Sequence, residues 1–261
     1  MEQNGINPRK PEPIGIRLKN VDLYYSSVAF KERSLKATVL SFWKRHNAKE
    51  LRDIHALKKI TLEIKQGERV ALLGRNGAGK STFLKMLADL YPIRSGIREV
   101  HGNIRPLLEL SLGFESEATG RENILYRGLM LGQSPKQVRE KTDEIIEFAE
   151  LGDFIDYPIK TYSAGMMVRL AFAITSSLEG DILLLDEVFG AGDYAFMQKA
   201  QKRITGLIDQ AKIVVYATHD WGSAKSFCQR GLLFSHGSVV FDGPIDDTVN
   251  EYLKLLEAEK Q

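Results

Sequence analysis

The sequence contains little of what would place the chain in a specialised class. Cys228 is the only cysteine among its 261 residues, so an intrachain disulfide is excluded. No apolar run approaches the ~20 residues that a membrane-spanning helix needs. The formal net charge of +2 gives no general reason to expect nucleic acid as a partner. We therefore expect a reducing compartment, and a chain that is either soluble or attached to a membrane through a partner.

What is present is an ordinary globular composition, with 43% hydrophobic and 27% charged residues. A chain of this length predicts one large domain, or one domain with a small additional lobe. Residues 1–13 are polar and contain Pro8, Pro11 and Pro13, which favours a flexible N-terminus rather than a secretory signal. Folded structure is therefore expected from about residue 14.

The rest of the chain is organised around a glycine-rich stretch, Gly74-Arg75-Asn76-Gly77-Ala78-Gly79-Lys80-Ser81-Thr82. The apolar run 69–73 before it predicts a buried strand, and residues 83–88 predict the opening of a helix. The glycines allow successive backbone N–H groups to surround an anion, and the helix N-terminus adds roughly half a positive charge. Lys80 can reach the β- and γ-phosphates of a nucleotide, and the Ser81 hydroxyl can bind Mg²⁺. The pattern predicts a phosphate-binding loop.

Two carboxylates close a second buried strand, predicted for 181–185. Asp186 can hold Mg²⁺ through water, and Glu187 can polarise the water that attacks the γ-phosphate. His219 follows the next predicted strand, 212–218, at the edge where open α/β sheets bind ligands. It could contact the γ-phosphate and hold the water and Glu187 in place, although taken alone a structural histidine is the better interpretation.

A further anion site is predicted at the start of an apolar helix over 166–178. Ser163 is a natural N-cap, and Gly165 gives the backbone freedom to approach a ligand closely. A helix N-terminus attracts anions. In isolation the same residues would be interpreted as a plain helix cap.

Several local signals predict the remaining elements. A strand over 14–25 is expected to carry a bulge near Lys19-Asn20, and residues 91–96 are expected to form a loop. Capping boxes begin at Thr119 and Ser134, inside a block over 113–180 that looks helical. The closing elements are a hairpin at His236-Gly237 and a helix over 246–261 with Val249, Tyr252, Leu253 and Leu256 on one face.

Taken in order along the chain, these motifs resemble the nucleotide-binding domain of ABC transporters over about residues 14–245. The resemblance implies an α/β P-loop NTPase fold with a mixed β-sheet core, an antiparallel β subdomain and an inserted helical subdomain over 113–180. It also implies that the chain binds ATP and Mg²⁺ and hydrolyses ATP.

The same resemblance gives roles to single residues. Tyr25 matches the aromatic residue that stacks on adenine, with Tyr24 as the fallback. Ser81 and Asp186 would hold Mg²⁺, and Glu187 and His219 would be the catalytic residues. The remaining nucleotide contacts would come from the loop and from the signature motif of a second copy: Gly74, Arg75, Asn76, Gly77, Ala78, Gly79, Lys80, Ser81, Thr82, Ser163 and Gly165.

The resemblance further implies partners and a location. Two copies would pair head to tail around ATP and act on a separate integral membrane permease at the cytoplasmic face of the inner membrane. Motifs around Gly113-Phe114, 119–123 and 162–172 resemble the branch that exports lipid-linked O-antigen, capsular polysaccharide or teichoic acid. O-antigen export is the leading expectation. An importer ATPase, a soluble ABC-type ATPase and a non-enzymatic regulatory subunit are the alternatives.

Two features depart from the family pattern. The glutamine normally found after the phosphate-binding loop is missing from 107–114, where Glu109 or Ser111 could replace it. Residues 26–50 form a basic insert. Within it, 31–46 predict an amphipathic helix that contacts a membrane or a partner, or that simply packs on the domain with its basic face in water.

Overall fold

A computed structural model describes residues 13–25, 53–108, 113–186 and 194–258. Some predicted features lie outside these ranges: the basic helix over 31–46, Glu109, Ser111, Glu187, and the segment 191–193 after it. They stay predictions.

The strands of the described residues lie at both ends of the chain. They are β1 (Gly15–Tyr25), β2 (Ile54–Lys65), β3 (Arg69–Leu73), β4 (Ser95–His101), β5 (Ile104–Leu107), β6 (Ile182–Leu185), β7 (Ile213–Ala217), β8 (Arg230–Ser235) and β9 (Ser238–Pro244). The helices are α1 (Lys80–Leu87), α2 (Gly120–Met130), α3 (Pro135–Ala149), α4 (Ala164–Ser177), α5 (Tyr194–Gln210), α6 (Trp221–Phe227) and α7 (Ile245–Ala258), with 3₁₀ turns at Gly152–Asp156 and Ile159–Thr161.

These strands form two sheets, as the sequence predicts. The smaller sheet is antiparallel, in the order β2-β1-β4, and the larger has the order β5-β6-β7-β3-β8-β9. All neighbours in the larger sheet are parallel except β8 and β9, which form the hairpin predicted at His236-Gly237. Strand β6 is buried along its whole length, because parallel strands are covered on both faces.

The predicted irregularity in β1 is confirmed. Its register against β2 shifts between Leu18 and Val21, and Asn20 has a positive φ of 49°. One prediction in this region is wrong: residues 91–96 are not all loop, since β4 begins at Ser95. The Ser95 hydroxyl donates to Asp22 across the sheet at 3.0 Å, a distant contact that local composition does not signal.

The helical block lies between β5 and β6, and its starts are capped as predicted. The Glu122 N–H donates to Thr119 Oγ1 at 3.1 Å, and the Thr119 N–H donates to the Glu122 carboxylate at 2.8 Å. Ser134 and Gln137 exchange the same pair of bonds at the start of α3. Each box satisfies backbone donors that a helix N-terminus otherwise leaves unpaired.

The buried side chains pack on both faces of the larger sheet. On one face α1 contributes Phe83, whose ring lies 5.1 Å from that of Phe234. On the other, Phe148, Phe172 and Phe196 join α3, α4 and α5. None of the helices within the described ranges is both long and apolar enough to cross a bilayer.

This topology brings three chain segments to one edge of the larger sheet. Strands β6, β7 and β3 are parallel neighbours, so the residues that follow them leave at the same edge. Asp186 follows β6, His219 follows β7 and Gly74 follows β3. Ligands of open parallel sheets bind at such carboxyl ends.

Candidate functional site: a nucleotide cleft

The glycine-rich loop leaves β3 and enters α1 through left-handed backbone conformations. Gly74, Gly77 and Gly79 have φ values of 141°, 80° and 112°, which residues with a side chain rarely adopt. Gly79 directly precedes the helix, and Phe83 N–H donates to its carbonyl at 2.8 Å. The loop therefore presents its backbone N–H groups together with the positive end of α1.

Gly74 is required for a second reason, which is space. A Cβ added there would lie 2.4 Å from the carbonyl oxygen of Phe234 on β8. The turn after β8 also contacts the loop, because the Gly237 N–H donates to the Ala78 carbonyl at 2.9 Å. The β8–β9 hairpin thus braces the loop from behind.

A cleft of about 600 Å³ lies in front of the loop. Its lining includes Tyr25, the loop from Arg75 to Thr82, and Asp186, all of which were predicted to belong to the site. The rest of the lining comes from residues that were not predicted to belong to the site: Ile54, His55, Ala56, Lys58, His236 and Gly237. Most of the predicted nucleotide and metal residues therefore share one cavity.

The side chain of Lys80 turns back over the loop. Its Nζ donates to the carbonyls of Gly74 at 2.5 Å and Arg75 at 3.1 Å. The ammonium is therefore held against the backbone of the loop. A positive charge in this position adds to the attraction that the helix N-terminus exerts on an anion.

Tyr25 faces the cleft. Its hydroxyl shares a 2.7 Å hydrogen bond with Thr82 Oγ1, and its ring meets that of Tyr91 edge-on at 5.5 Å. Tyr24 is not among the residues that line the cleft. Its ring stacks on His55 at 4.1 Å and lies 4.9 Å from the Arg94 guanidinium. Successive residues of a strand point to opposite faces, so only one of the two tyrosines faces the loop.

His55 is held at the cleft by a polar cluster. Its Nε2 lies 2.7 Å from Asp22 Oδ1, and Asp22 also accepts from the Lys59 N–H at 3.1 Å and from Ser95. Burial works to raise the pKa of Asp22, but these hydrogen bonds lower it below its ordinary value. The cluster therefore keeps a carboxylate beside His55.

Asp186 and His219 lie at neighbouring strand ends but in different settings. Asp186 is half-buried and lines the cleft, and its N–H donates to the Leu107 carbonyl at 3.3 Å. His219 is exposed and does not line it. The adjacent Asp220 caps α6 through the N–H groups of Gly222 and Ser223.

Ser163 and Gly165 also lie outside the cleft. Ser163 Oγ accepts from the Met166 N–H at 3.2 Å, so the predicted N-cap is confirmed. Ser163 is exposed, and a Cβ at Gly165 would meet no atom closer than 3.9 Å, the Ser163 hydroxyl. The helix start is thus open to solvent and accessible to another molecule.

The sequence analysis missed His55, Lys58 and His236 for a physical reason. They come to the cleft through contacts between distant segments, such as the 2.8 Å bond from the Lys58 N–H to the Gly237 carbonyl. A local pattern predicted the hairpin, and strand β2 lies beside it in the structure. No local pattern indicates that the two meet beside the phosphate-binding loop.

Comparisons with known proteins agree with this arrangement. The pattern of the family described as "ABC transporter" matches residues 57–190. The O-antigen export system ATP-binding protein RfbE of Yersinia enterocolitica is 44% identical over 192 residues, 73% of this chain and 80% of that protein. The corresponding RfbB of Myxococcus xanthus is 38% identical, over 88% of this chain and 55% of its own length.

The teichoic acids export ATP-binding protein TagH of Lactococcus lactis is 37% identical over 81% of this chain. The chain spans about half the length of TagH and of the Myxococcus RfbB, at 45% and 55%.

A solved structure shares the fold. The ATP-binding cassette MJ0796, in a dimeric post-hydrolysis state bound to ADP and Pi, superposes with a TM-score of 0.65 at 23% identity. The match covers 88% of this chain and 98% of MJ0796. The fold is therefore the predicted P-loop ATPase fold, and the chain belongs to the ABC transporter family.

Proposed function

We propose that the chain is the ATP-hydrolysing subunit of an ABC exporter whose transported substrate is a lipid-linked polysaccharide, with O-antigen as the first candidate. The observation that carries this proposal is the 44% identity with an O-antigen export ATP-binding protein over 73% of the chain. Teichoic acid export is the second candidate, because TagH is 37% identical.

ATP is proposed to occupy the cleft in front of the glycine-rich loop. The loop N–H groups and the Lys80 ammonium, now bonded to the Gly74 and Arg75 carbonyls, would bind the β- and γ-phosphates. Tyr25 would stack on adenine, since its ring lies in the cleft beside the loop. His55, Lys58 and His236 add positive or titratable groups to the same wall.

The residues present also suit Mg²⁺. Ser81 and Asp186 line the same cleft and offer only oxygen ligands, which this ion prefers. Within the described residues there is no cluster of three or more His, Cys, Asp or Glu that would hold a metal alone. When bound, Mg²⁺ would neutralise charge on the phosphates.

We assign hydrolysis to two residues that follow the neighbouring strands β6 and β7. Glu187, directly after Asp186, would accept a proton from the attacking water, and His219, after the adjacent strand, would position that water. His219 does not line the cleft of the single chain. Its role therefore requires bound ATP to extend towards it, or the closure of a second subunit.

A second copy of the chain is proposed to complete the site. Ser163 caps the exposed start of α4, and neither Ser163 nor Gly165 lines the cleft of its own chain. Paired head to tail, each would supply this anion site to the γ-phosphate in the other copy's cleft. Closure of the dimer around ATP would then drive the permease, and hydrolysis would reopen it.

The helical block is the proposed contact with the permease. It exposes large apolar side chains, with Tyr126 and Met130 on α2 and Phe154 and Tyr157 in a 3₁₀ turn and directly after it. Met130 is 72% exposed, and it adjoins Gly113, near the segment that lacks the family glutamine. Exposed apolar clusters mark interaction sites. Such a contact would hold the chain at the cytoplasmic face of the inner membrane.

The enzymatic proposal is tested with purified chain and MgATP. Glu187→Gln should bind ATP, accumulate as a dimer and turn over slowly, because the general base is lost. Lys80→Ala should abolish tight ATP binding. Wild-type ATPase activity in Glu187→Gln, or wild-type ATP affinity in Lys80→Ala, would contradict the assigned roles. For transport, ATPase activity of the chain co-purified with its permease should rise with the matching lipid-linked glycan.

A further inference from the structure

A second cavity, of about 550 Å³, lies among β5, α3, α4 and α5. Its polar lining includes five cations and two carboxylates, a formal surplus of +3: Arg105, Lys141, Lys199, Lys202, Arg203, Glu144 and Glu179. Arg105 is near the amino end of β5, whereas the phosphate-binding loop follows the carboxyl end of β3. The cavity is therefore at the opposite edge of the parallel sheet and shares no lining residue with the nucleotide cleft.

Arg105 is built into the wall of this cavity. Its Nε is buried and has no hydrogen-bond acceptor among the described residues. Gly180 makes room for its stem, because a Cβ at Gly180 would lie 2.8 Å from the Arg105 Cβ. Burial lowers the pKa of Arg105, the nearby Arg203 charge lowers it further, and Glu179 works in the opposite direction. A guanidinium in this setting is stabilised by an added anion.

The other cations are only partly neutralised. Arg203 and Lys141 share the carboxylate of Glu144, and Arg203 also donates to the Ser177 hydroxyl at 2.9 Å. Lys199 pairs with Glu150, outside the cavity, at 2.5 Å. Arg105 and Lys202 have no carboxylate within ion-pairing distance in the described part of the chain.

A partial negative charge in the fold offsets a small part of the positive charge of the cavity. Helix α4 ends at Ser177 in the cavity wall, and a helix C-terminus carries roughly half a negative charge. Glu150 offsets the charge of Lys199, and the partial charge of the helix does not balance the remaining surplus of +2. Gln210 and the Ser176 and Ser177 hydroxyls add neutral polar groups to the same lining.

We propose that this cavity binds a pyrophosphate-bearing anion, at a site separate from the nucleotide cleft. Guanidinium groups pair with phosphate oxygens in a fork geometry, and lysines add point charges. The volume suits a small ligand, and the positive lining complements a pyrophosphate group, since five cations face three carboxylates once Glu150 is counted, a surplus of +2. The group could be free in solution or part of a lipid headgroup, and the experiment separates these sources.

The site is tested by titrating inorganic pyrophosphate into the Lys80→Ala chain, whose nucleotide cleft no longer binds phosphate tightly, with calorimetry as the readout. Arg105→Gln and Lys202→Gln should each weaken binding about tenfold, because each removes a charge-assisted contact. Lys136→Gln is the matched control, since it removes a lysine that is exposed on α3 and lies outside the cavity. Thermal unfolding checks that Arg105→Gln folds, and Lys202 is exposed, so its variant tests the site independently.

A second arm measures sedimentation with phosphatidylcholine vesicles, with and without diacylglycerol pyrophosphate. If both cavity variants weaken pyrophosphate binding, the ligand is a soluble anion. If they weaken only vesicle binding that depends on diacylglycerol pyrophosphate, it is a headgroup. The proposal is overturned if neither assay separates the cavity variants from Lys136→Gln. A loss of ADP binding in Lys80→Ala concerns the nucleotide cleft alone and leaves this test unaffected.

Discussion

Replacing Gly74 by alanine should damage the nucleotide cleft far more than the same change at Gly77, although both belong to the glycine-rich loop. Both positions have positive φ, at 141° and 80°. The two positions differ in their surroundings. An added Cβ at Gly74 would lie 2.4 Å from the Phe234 carbonyl oxygen, whereas at Gly77 it would meet nothing within 4 Å. Comparing the two variants therefore separates the effect of backbone strain from that of a steric clash.

The magnitudes follow from these two terms. Strain at a positive φ costs about 1–2 kcal/mol for a residue with a Cβ, and both variants carry it. Forcing an atom into an occupied position adds about 1–3 kcal/mol, and only Gly74→Ala carries that term. In a chain of this size 1 kcal/mol lowers Tm by ~2–4 °C. The Tm of Gly74→Ala should therefore lie about 2–12 °C below that of Gly77→Ala.

The assay is thermal unfolding of the two variants and the wild type, followed by titration with a fluorescent ADP analogue. Moving the loop away from β8 also displaces the N–H groups that bind phosphate, so Gly74→Ala should lose affinity as well as stability. Equal Tm values for the two variants would refute the reasoning, because they would mean that the hairpin does not brace the loop.

Two further predictions concern single contacts. Tyr25→Phe removes only the 2.7 Å bond to Thr82 and should change ADP affinity by less than about tenfold, whereas Tyr25→Ala also removes the ring and should lose more; equal losses would exclude a stacking role. The Lys212 ammonium and the Asn103 N–H hold the pKa of Asp181 below its ordinary value. Their stabilisation is thus present at neutral pH and lost as the pH falls through that lowered pKa. In urea unfolding Asp181→Asn should be less stable than the wild type at pH 7 and should converge with it in acid; a constant gap would contradict the linkage.

Much of the fold could be predicted because its signals are local. The capping boxes at Thr119 and Ser134, the hairpin at His236-Gly237 and the bulge near Asn20 each depend on a few neighbouring residues, and the structure contains all of them. The exception is the start of β4 at Ser95, where pairing with Asp22 across the sheet extends the strand into a predicted loop.

The candidate site was predictable only where its residues form a motif. The loop and Asp186 do so, and both line the cleft. His55 and His236 do not, because only tertiary packing brings β2 and the hairpin to the loop. Ser163 belongs to a motif, yet it lies outside the cleft of its own chain. The sequence pattern alone cannot supply the distance between that motif and the loop, which in the proposed dimer would be set by the pairing of two copies.

Complementation between two defective chains tests most directly whether the functional unit is a head-to-tail dimer. A Lys80→Ala chain keeps Ser163 and Gly165 at the start of α4, and a Ser163→Arg chain keeps its phosphate-binding loop. In a Glu187→Gln background, which keeps hydrolysis from reopening the dimer, light scattering with MgATP should show that neither chain dimerises alone. An equimolar mixture should form dimers that each hold a single ATP at their one intact composite site. A mixture that associates no more than the separate chains would contradict the account.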